Sequence, residues 1–533
     1  ENLEPEWILE THAHADHLSG AQHIKSELGG AIAIGEGIRK VQAHFGPVFN
    51  MADSIRQDGS DFDRLFSGVH ILPFFDPFDG ADAGFDPIDH TAVDPRLGSW
   101  QDVAELGADF SIMADLIVNH VSSDSPQFRD VRKKASASPY WDLFLRKTDV
   151  FPKDSPDTLV AEEIGRIYRP RPGAPFTAIQ LDDGSTVDFW TTFSDKQLDI
   201  NVEVPAGREY LDSILQKFSQ ARVREIRLDA AGYAIKRRGT TCFMLPETFD
   251  FISELSERAS ELGMQTLVEI HSHYQTQIAI ASSVGRVYDF ALPPLVLHSL
   301  YTGDFDALKR WLGVAPRNCV TVLDTHDGIG IHDVARQGDL EGLLSDNEVD
   351  SLVNTIHEKT DGQSRRASGH SASNLDIYQV NSTYYDALGR DDVAYLIARA
   401  IQFFAPGTPQ VYYVGLLAGE NDMELVERTG VGRDINRHYY PRDEVLAALQ
   451  RPVVSRLMDL IRLRNSLSVF DGTFLIKECP RDQLVLRWEN DLSFAELGVD
   501  TRRSCATIVY SEAGESGSFV IDESSLHAKP GAA

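Results

Sequence analysis

The chain has 533 residues, of which 42% are hydrophobic and 25% are charged, as in an ordinary soluble globular enzyme. Acidic residues number 81 against 50 basic ones, which gives a formal net charge of −31. Nucleic acids and anionic membranes both attract positively charged surfaces, so this balance argues against either partner and favours a neutral ligand.

The four cysteines are far apart and include no CxxC pair, so we expect reduced thiols. No apolar run reaches the length needed to span a membrane. The sequence begins with ENLEPEWILE, which is acidic where a signal peptide would be basic. The expected location is therefore the cytoplasm.

Short runs rich in Val, Ile and Leu alternate with longer helical patterns, such as Arg208–Ala221 and Glu247–Leu262. This alternation predicts an α/β protein with a parallel sheet covered by helices. Seven such runs favour a (β/α)8 TIM barrel. The predicted strands are Val69–Phe75, Ser111–Val118, Arg224–Asp229, Thr266–Ile270, Val287–Leu292, Val320–Asp324 and Val411–Val414.

Two connections are too long for simple crossovers between strands. The stretch at about 122–200 predicts an inserted subdomain, and the polar stretch at about 332–391 predicts a long active-site loop region. After about Gly472, alternating strand patterns predict a small C-terminal all-β domain, a β-sandwich. The predicted domains are thus 1–67, the catalytic barrel at 68–471, and the sandwich at 472–533.

Four acidic residues lie near the carboxyl ends of predicted strands: Asp115, Asp229, Glu269 and Asp327. In a barrel these ends converge on one face, so acids distant in sequence meet there. A set of three such acids suits retaining glycosyl transfer, which needs a nucleophile, a proton donor and a stabiliser of the transition state. The structural alternative for each acid is to cap the following helix.

Ten motifs extend from about Val69 to the C-terminal module. They are GVHILPFFDPFDGADAGFDPIDH, DLIVNH, IYRPRPG, RLDAAGY, VEIHSHY, VYDFALPPL, VLDTHDGIG, NLDIYQVNSTYY, PQVYYVG and GRDINRHYY. With these motifs in this order, the chain resembles the sucrose phosphorylase family, within the α-amylase-like clan of retaining glycosidases.

The resemblance implies that Asp229 is the nucleophile, Glu269 the general acid/base, and Asp327 the stabiliser. It also implies further substrate-binding residues. Those of the glucosyl subsite are Asp82, Phe85, His120, Arg227, His326 and Arg433, and Phe193 is a further substrate-binding candidate. Those on the acceptor side are Arg171, Tyr233, His271, Asp376, Tyr378 and Gln379.

Within this second set, Arg171 matches the phosphate-side arginine of the family. Asp376, Tyr378 and Gln379 match its mobile acceptor loop, which alternates between fructose-binding and phosphate-binding arrangements. A bidentate arginine suits the geometry of phosphate, whereas Asp376 would repel it.

Elementary electrostatics agrees with these roles. Arg227 lies two residues before Asp229 and so points to the same side of a strand, where its charge favours an ionised nucleophile. Partial burial of Glu269 in the run TLVEI would favour the protonated form that a general acid needs.

Each of the other residues has a structural alternative. His120 and His326 fit hydrogen-bonded structural roles, and Phe85 and Phe193 fit the core. Arg171 fits a solvent-facing loop, and Arg433 fits a surface ion pair.

The implied reaction is sucrose plus phosphate giving α-D-glucose 1-phosphate plus fructose, with no metal or other cofactor. The alternatives are a related phosphorylase or transglucosidase that uses sucrose 6-phosphate or glucosylglycerate, and a protein that binds sugar with little turnover. Members of this family can dimerise, so a homodimer is compatible with the resemblance.

Residues 1–66 have a different character. His12, His14, Asp16 and His17 have the HxHxDH spacing and resemble a fragment of a metallo-β-lactamase-fold persulfide dioxygenase. Such ligands suit zinc or iron. The later ligands of that fold are missing from the sequence, so we expect no complete metal site. A metal-dependent sulfur oxygenase or hydrolase is kept as an alternative function.

This segment stands where the first barrel strand should lie. A barrel of seven strands would leave two open edges, so a substitute strand is needed. The candidates are Trp7–Thr11 and Ala31–Gly35, and we favour Ala31–Gly35.

Overall fold

The structure is a computed structural model that describes residues 65–77, 84–152, 156–169, 173–369 and 379–527, together with the backbone of 7–10 and 31–34. The chain divides into two compact units. The first is built mainly from Ser67–Ile270, and the second from His271–Ser282 and Arg286–Ala533.

Four parallel strands form the central sheet of the first unit. In spatial order they are Gly68–Ile71, Ser111–Ile117, Val223–Asp229 and Gln265–Val268. Ser111–Ile117 is buried along nearly its whole length, as expected for a parallel strand covered on both faces. The predicted strand at Val69–Phe75 ends early, at Ile71, and is followed two residues later by Pro73, which has no backbone N–H to donate.

The helices of the first unit begin at recognisable caps. Before Trp100–Asp109, the side chain of Ser99 accepts from the Asp102 amide while Asp102 accepts from the Ser99 amide, which is a capping box. Pro205–Gln220 and Pro246–Glu261 start on proline and confirm the two helices predicted there. The remaining helices are Pro126–Lys134, Lys147–Val150 and Asp157–Ile164, with 3₁₀ turns at Ala135–Ala137, Trp141–Leu143 and Ala231–Tyr233.

Three antiparallel strand pairs complete the first unit. They are Phe75–Pro77 with Pro87–Val93, His120–Ser122 with Gln197–Asp199, and Phe176–Gln180 with Thr186–Trp190. In the region predicted as an insertion, Leu145, Phe151 and Trp190 are buried in an apolar cluster that also includes Cys242 from outside that region.

The second unit contains three parallel strands, Arg286–Asp289, Cys319–Thr321 and Thr408–Pro409. The predicted strand at Val411–Val414 is wrong, because the strand lies earlier and Tyr413–Leu416 is helical. The run VYYV has strand-forming composition, but burial of Val414 and Leu416 in that helix overrides the local preference.

Helices dominate the rest of the second unit. They are Tyr274–Ala281, Leu292–Thr302, Asp306–Val314, Asp346–Lys359, Gln363–Ser368, Tyr384–Ala387, Asp392–Phe404, Tyr413–Leu416, Met423–Thr429, Arg442–Ala448 and Pro452–Ser466. Among the described residues of this unit, 3₁₀ turns lie at Gly432–Asn436, Ser468–Asp471 and Ser525–His527. A short antiparallel pair joins Ile329–Gly330 to Gln379–Val380. None of the described helices is long and apolar enough to cross a bilayer.

The C-terminal region has the all-β character predicted from sequence. The sequence predicts a small sandwich, and the described residues form one antiparallel sheet in which each strand pairs with the next in the chain. Its strands are Thr473–Ile476, Gln483–Glu489, Phe494–Asp500, Cys505–Glu512 and Glu515–Ile521.

Two short strands are described near the N-terminus, Trp7–Glu10 and Ala31–Ile34. They pair with each other in parallel and form a sheet of their own. The expectation that one of them replaces the first barrel strand is not confirmed by this pairing.

Candidate active site

Arg227 forms ion pairs with three carboxylates of the first unit. Its Nη1 lies 2.6 Å from Oδ1 of Asp115 and 3.0 Å from Oδ1 of Asp229. Its Nη2 lies 2.8 Å from Oε1 of Glu269. The guanidinium is 4% exposed, so three acids from three neighbouring strands share one buried cation. Sequence spacing predicted the Asp229 contact, and the structure adds the other two.

Asp115 is the most deeply buried of these acids. Its second oxygen, Oδ2, lies 3.0 Å from Nε2 of His70. Burial raises the pKa of Asp115, but the charges and hydrogen bonds of His70 and Arg227 outweigh it, and the pKa is lowered to about 2. Asp115 therefore stays ionised and fixes the position of Arg227.

The chain turns sharply after Asp229. Ala230 has φ 56°, in the left-handed region that non-glycine residues rarely adopt, and a 3₁₀ turn follows at Ala231–Tyr233. A Cβ at Gly232 would come within 2.9 Å of the Phe243 ring, so glycine is needed for this close approach. Asp229 and Tyr233 therefore lie on either side of one short turn.

Aromatic rings line this turn. The Tyr233 ring lies 5.1 Å from Phe193 and 4.7 Å from Phe243, and Phe193 lies 5.0 Å from the His120 ring. Burial raises the pKa of the Tyr233 hydroxyl well above its ordinary value, and the charges of Tyr168, Glu269 and Asp229 act in the same direction. Tyr233 therefore stays protonated beside the two acids. We name Phe193, Tyr233 and Phe243 the aromatic wall.

His120 and Phe85 are tied to each other. The Nε2 atom of His120 lies 3.0 Å from the Phe85 carbonyl oxygen and 3.1 Å from Nε2 of Gln197. The Phe85 ring lies 5.4 Å from the Arg227 guanidinium. The structure thus brings both predicted residues to the Arg227 centre.

One buried ion pair in this unit was missed by sequence reasoning. Nζ of Lys236 lies 2.8 Å from Oδ2 of Asp199, and the side chains are 3% and 0% exposed. The available signal was a lysine inside the apolar stretch AAGYAIK, since lysines are almost never fully buried unless paired.

In the second unit, the carboxyl group of Asp327 lies close to two arginines and a histidine. Its Oδ1 lies 2.5 Å from Nη1 of Arg433 and 3.6 Å from Nη2 of Arg437, and its Oδ2 lies 3.4 Å from Nε2 of His326. Burial raises the pKa of Asp327, but the charges of His326, Arg433 and Arg437 outweigh it and hold the pKa well below its ordinary value. Arg433 therefore pairs with a buried acid rather than forming the surface ion pair that its sequence context allowed.

Arg437 and Asn436 were also missed. Nε of Arg437 donates to the His326 carbonyl at 2.8 Å, and Nδ2 of Asn436 donates to the Asp327 carbonyl at 2.8 Å. These bonds fix the backbone at His326 and Asp327. The motif GRDINRHYY contained both residues, but nothing in their spacing indicated backbone partners.

His271 lies in a second polar cluster of this unit. Its Nδ1 is 3.2 Å from Oδ2 of the buried Asp333, its ring stacks on Phe290 at 3.8 Å, and its Nε2 is 3.5 Å from Nε2 of Gln379. Oε1 of Gln379 accepts from the Gly328 amide at 3.3 Å. Gln379 therefore links the predicted acceptor loop to the segment that follows Asp327.

Several predicted residues lie outside the described parts of the chain. They are Asp82, Arg171, Asp376 and Tyr378, and the N-terminal metal candidates His12, His14, Asp16 and His17. Among the described residues, no group of three or more His, Cys, Asp or Glu side chains is arranged to hold a metal ion.

The chain is similar to several known proteins. The α-amylase catalytic-domain family matches residues 65–288. A sucrose phosphorylase of Agrobacterium vitis is 56% identical over 448 residues, covering 84% of this chain and 91% of that protein. A sucrose phosphorylase of Bifidobacterium adolescentis is 51% identical over 461 residues, covering 86% and 90%.

A solved structure is also similar. The crystal structure of sucrose 6F-phosphate phosphorylase from Thermoanaerobacter thermosaccharolyticum has a TM-score of 0.80 at 36% identity, covering 89% of this chain and 95% of that one. The family match begins at residue 65, so the resemblance of residues 1–66 to a metallo-β-lactamase-fold protein stays a prediction. The chain is a glycosyl-transferring enzyme with the α-amylase-type (β/α)8 fold, and it belongs to the sucrose phosphorylase family.

Proposed function

We propose that this enzyme transfers the glucosyl group of sucrose to phosphate with retention of configuration, giving α-D-glucose 1-phosphate and fructose. The observation that carries the proposal is the pair of contacts from Arg227 to Asp229 and Glu269, at 3.0 and 2.8 Å. One guanidinium holds both acids. This arrangement favours the short separation of about 5–5.5 Å that retaining enzymes need between their carboxyl groups.

In the first displacement, a carboxylate oxygen of Asp229 attacks the anomeric carbon of the glucosyl group. The bond from that carbon to the fructosyl oxygen breaks, and Glu269 gives its proton to the departing oxygen. Fructose leaves, and glucose remains as an ester on Asp229. The cation of Arg227 beside Asp229 favours the ionised form that attack requires.

In the second displacement, a phosphate oxygen attacks the anomeric carbon from the side that fructose left. Glu269 takes the proton, the ester bond to Asp229 breaks, and glucose 1-phosphate leaves with the starting configuration. In this proposal Arg171 binds the phosphate, and the loop that carries Asp376, Tyr378 and Gln379 admits one acceptor or the other.

Asp327 is proposed as the acid that stabilises the oxocarbenium-like transition state. Such a role needs a permanent negative charge. Arg433, Arg437 and His326 around its carboxyl group provide this by holding its pKa low. His120, Phe85 and His326 are proposed to line the glucosyl subsite, together with Asp82 and Arg433.

The direct test is release of glucose 1-phosphate from sucrose and phosphate, with EDTA present and a phosphate-free control. Phosphate-dependent release that is unaffected by EDTA supports the proposal. Absence of product from a protein shown to be folded by circular dichroism contradicts it.

A second candidate function differs only in the glucosyl donor. The similarity to a sucrose 6F-phosphate phosphorylase, at 36% identity, favours this alternative over unrelated chemistry. Measuring kcat/KM for sucrose, sucrose 6-phosphate and glucosylglycerate in parallel distinguishes them. We expect sucrose to have the highest value, as the more similar relatives are sucrose phosphorylases. The predicted location is the cytoplasm, and a homodimer is compatible with the family.

A further inference from the structure

The ammonium group of Lys236 has three partners. Nζ lies 2.8 Å from Oδ2 of Asp199, donates to Oδ1 of Asn119 at 2.9 Å, and donates to the Tyr233 carbonyl. An ammonium group has three N–H donors, so all are used. Lys236 is thus fully engaged within the protein, and its charge is balanced by Asp199.

Two of these partners, Asn119 and Asp199, in turn contact further residues of the first unit. Asn119 precedes His120 and approaches its ring, with Nδ2 3.5 Å from Nδ1. Asp199 accepts from the Thr192 amide at 2.9 Å and from the Thr192 hydroxyl at 2.5 Å, and Thr192 precedes Phe193. Lys236 therefore fixes the backbone on both sides of the aromatic wall, at Phe193 and at Tyr233.

The aromatic wall also contacts Tyr168. The Tyr168 ring packs 4.6 Å from Phe243 and 6.3 Å from Tyr233, and its amide donates to the Thr241 carbonyl at 2.8 Å. The carboxylate of Asp199 also interacts electrostatically with the guanidinium of Arg169. Burial lowers the pKa of that guanidinium, and the charge of Asp199 opposes the change.

We propose that Lys236 is a positioning residue for the acceptor side of the site. By fixing Tyr233 and the Thr192–Phe193 segment, it places the aromatic wall against which Tyr168 packs. This inference rests on the proposed phosphorylase function. Lys236 touches neither reactant, and its effect is on the fate of the glucosyl-enzyme, which either phosphate or water attacks.

The experiment compares wild type with Lys236→Met, using sucrose as donor. Glucose 1-phosphate and free glucose are measured with phosphate, and fructose release is measured without it. In the variant, we expect the ratio of glucose 1-phosphate to glucose to fall by at least about 10-fold, because small misplacements of binding groups have effects of this size. Fructose release without phosphate should change less than about 3-fold, since Arg227, Asp229 and Glu269 keep their mutual contacts.

Two further variants separate positioning from general destabilisation. Lys236→Met leaves the carboxylate of Asp199 buried without its ammonium partner, which destabilises the fold. The double variant Lys236→Met/Asp199→Asn removes both charges. We expect it to recover thermal stability while the product ratio stays low. Arg238→Met, on the same loop, breaks a more exposed ion pair to Glu163 and should leave the ratio unchanged.

The outcomes are distinct. A wild-type enzyme that makes no phosphate-dependent product contradicts the proposed function itself. An active wild type with an unchanged ratio in both Lys236 variants overturns the positioning role. A ratio restored to the wild-type value in the double variant also overturns it, because Lys236 would then act only by balancing Asp199. A low ratio in a stable double variant supports the inference.

Discussion

Nη1 of Arg227 lies 2.6 Å from Oδ1 of Asp115, and the two side chains are 4% and 0% exposed. Asp115 is not one of the proposed catalytic acids, yet it holds the cation that contacts both Asp229 and Glu269. His70 supports its other oxygen. In the first unit, a third, buried carboxylate therefore fixes the cation that contacts the two proposed catalytic carboxylates.

Asp115→Ala should strongly destabilise the protein. It leaves a buried guanidinium without one of its partners, and breaking a buried pair in this way costs about 3–5 kcal/mol of unfolding free energy. Urea unfolding measures this directly. Asp142→Ala is a suitable control because Asp142 is 66% exposed in its ion pair with Arg146, so it should lose no more than about 1 kcal/mol. Equal effects of the two substitutions would contradict the structural role of Asp115.

Stability should fall in acid as Asp115 takes up a proton. The folded-state pKa of Asp115 is lowered to about 2 from an ordinary 3.8. A lowered carboxyl pKa contributes stability above the ordinary pKa, and that stability is lost as the pH falls from about 4 to 2. The contribution is about 2 kcal/mol. Unfolding free energies measured across this range should show a smaller slope in Asp115→Asn than in wild type. Identical slopes would show that Asp115 is not a source of the acid sensitivity.

Asp229→Asn and Glu269→Gln should each nearly abolish glucosyl transfer and leave the fold intact. Removing the acid/base is expected to lower kcat by about 10²–10⁴-fold, and removing the nucleophile by at least as much. Fructose release from sucrose gives the rate, and circular dichroism checks the fold. Full activity in either variant would overturn its assigned role.

Arg171→Ala should impair phosphorolysis more than hydrolysis. A phosphate-binding arginine assists the second displacement with phosphate and not with water. With sucrose as donor, the KM for phosphate should rise at least about 10-fold, while glucose formed without phosphate stays near the wild-type rate. An equal loss in the two reactions would remove the phosphate role.

His438 should make the second unit sensitive to alkaline pH. Its Nδ1 lies 2.6 Å from Oδ2 of Asp422, and its Nε2 lies 2.8 Å from Oε2 of Glu444. Burial lowers its pKa, but the two acids outweigh burial and leave the pKa above the ordinary 6.5. The stabilisation is therefore complete below pH 6.5 and is lost as the pH rises through the folded-state pKa.

The test is His438→Gln, with Tm measured from pH 6 to pH 9. The wild type should lose Tm over this range, and the variant should lose less. A wild-type curve parallel to that of the variant would contradict the contribution of His438.

Much of the fold could be predicted because parallel strands buried on both faces have a distinctive composition. Six of the seven predicted strands are confirmed to within a few residues, and Arg227 faces Asp229 as the two-residue spacing required. The strand patterns also placed Asp229 at the end of its strand and Glu269 directly after the next one. That the same guanidinium contacts Glu269 depends on the register between Val223–Asp229 and Gln265–Val268, which no local pattern encodes.

The missed residues are mostly buried charges whose partners are distant in sequence. Arg399 lies in the apolar helix Asp392–Phe404 and pairs with Asp324 at 2.6 Å. A lone arginine in such a helix indicates a buried partner, but not which one. Lys236 and Asp199 are a second case. Composition signals that a charge must be paired, and only the tertiary fold selects its partner.

The antiparallel sheet at the C-terminal end consists only of neighbours in sequence, since every described strand pairs with the next one along the chain. The strand that carries Asp115 instead pairs with the one that carries Arg227, 112 residues later. Contacts between distant residues form slowly, because a long loop must close before they contribute. During refolding, the terminal sheet should therefore gain protection from hydrogen exchange early, while catalytic competence waits for the strand pair around Arg227.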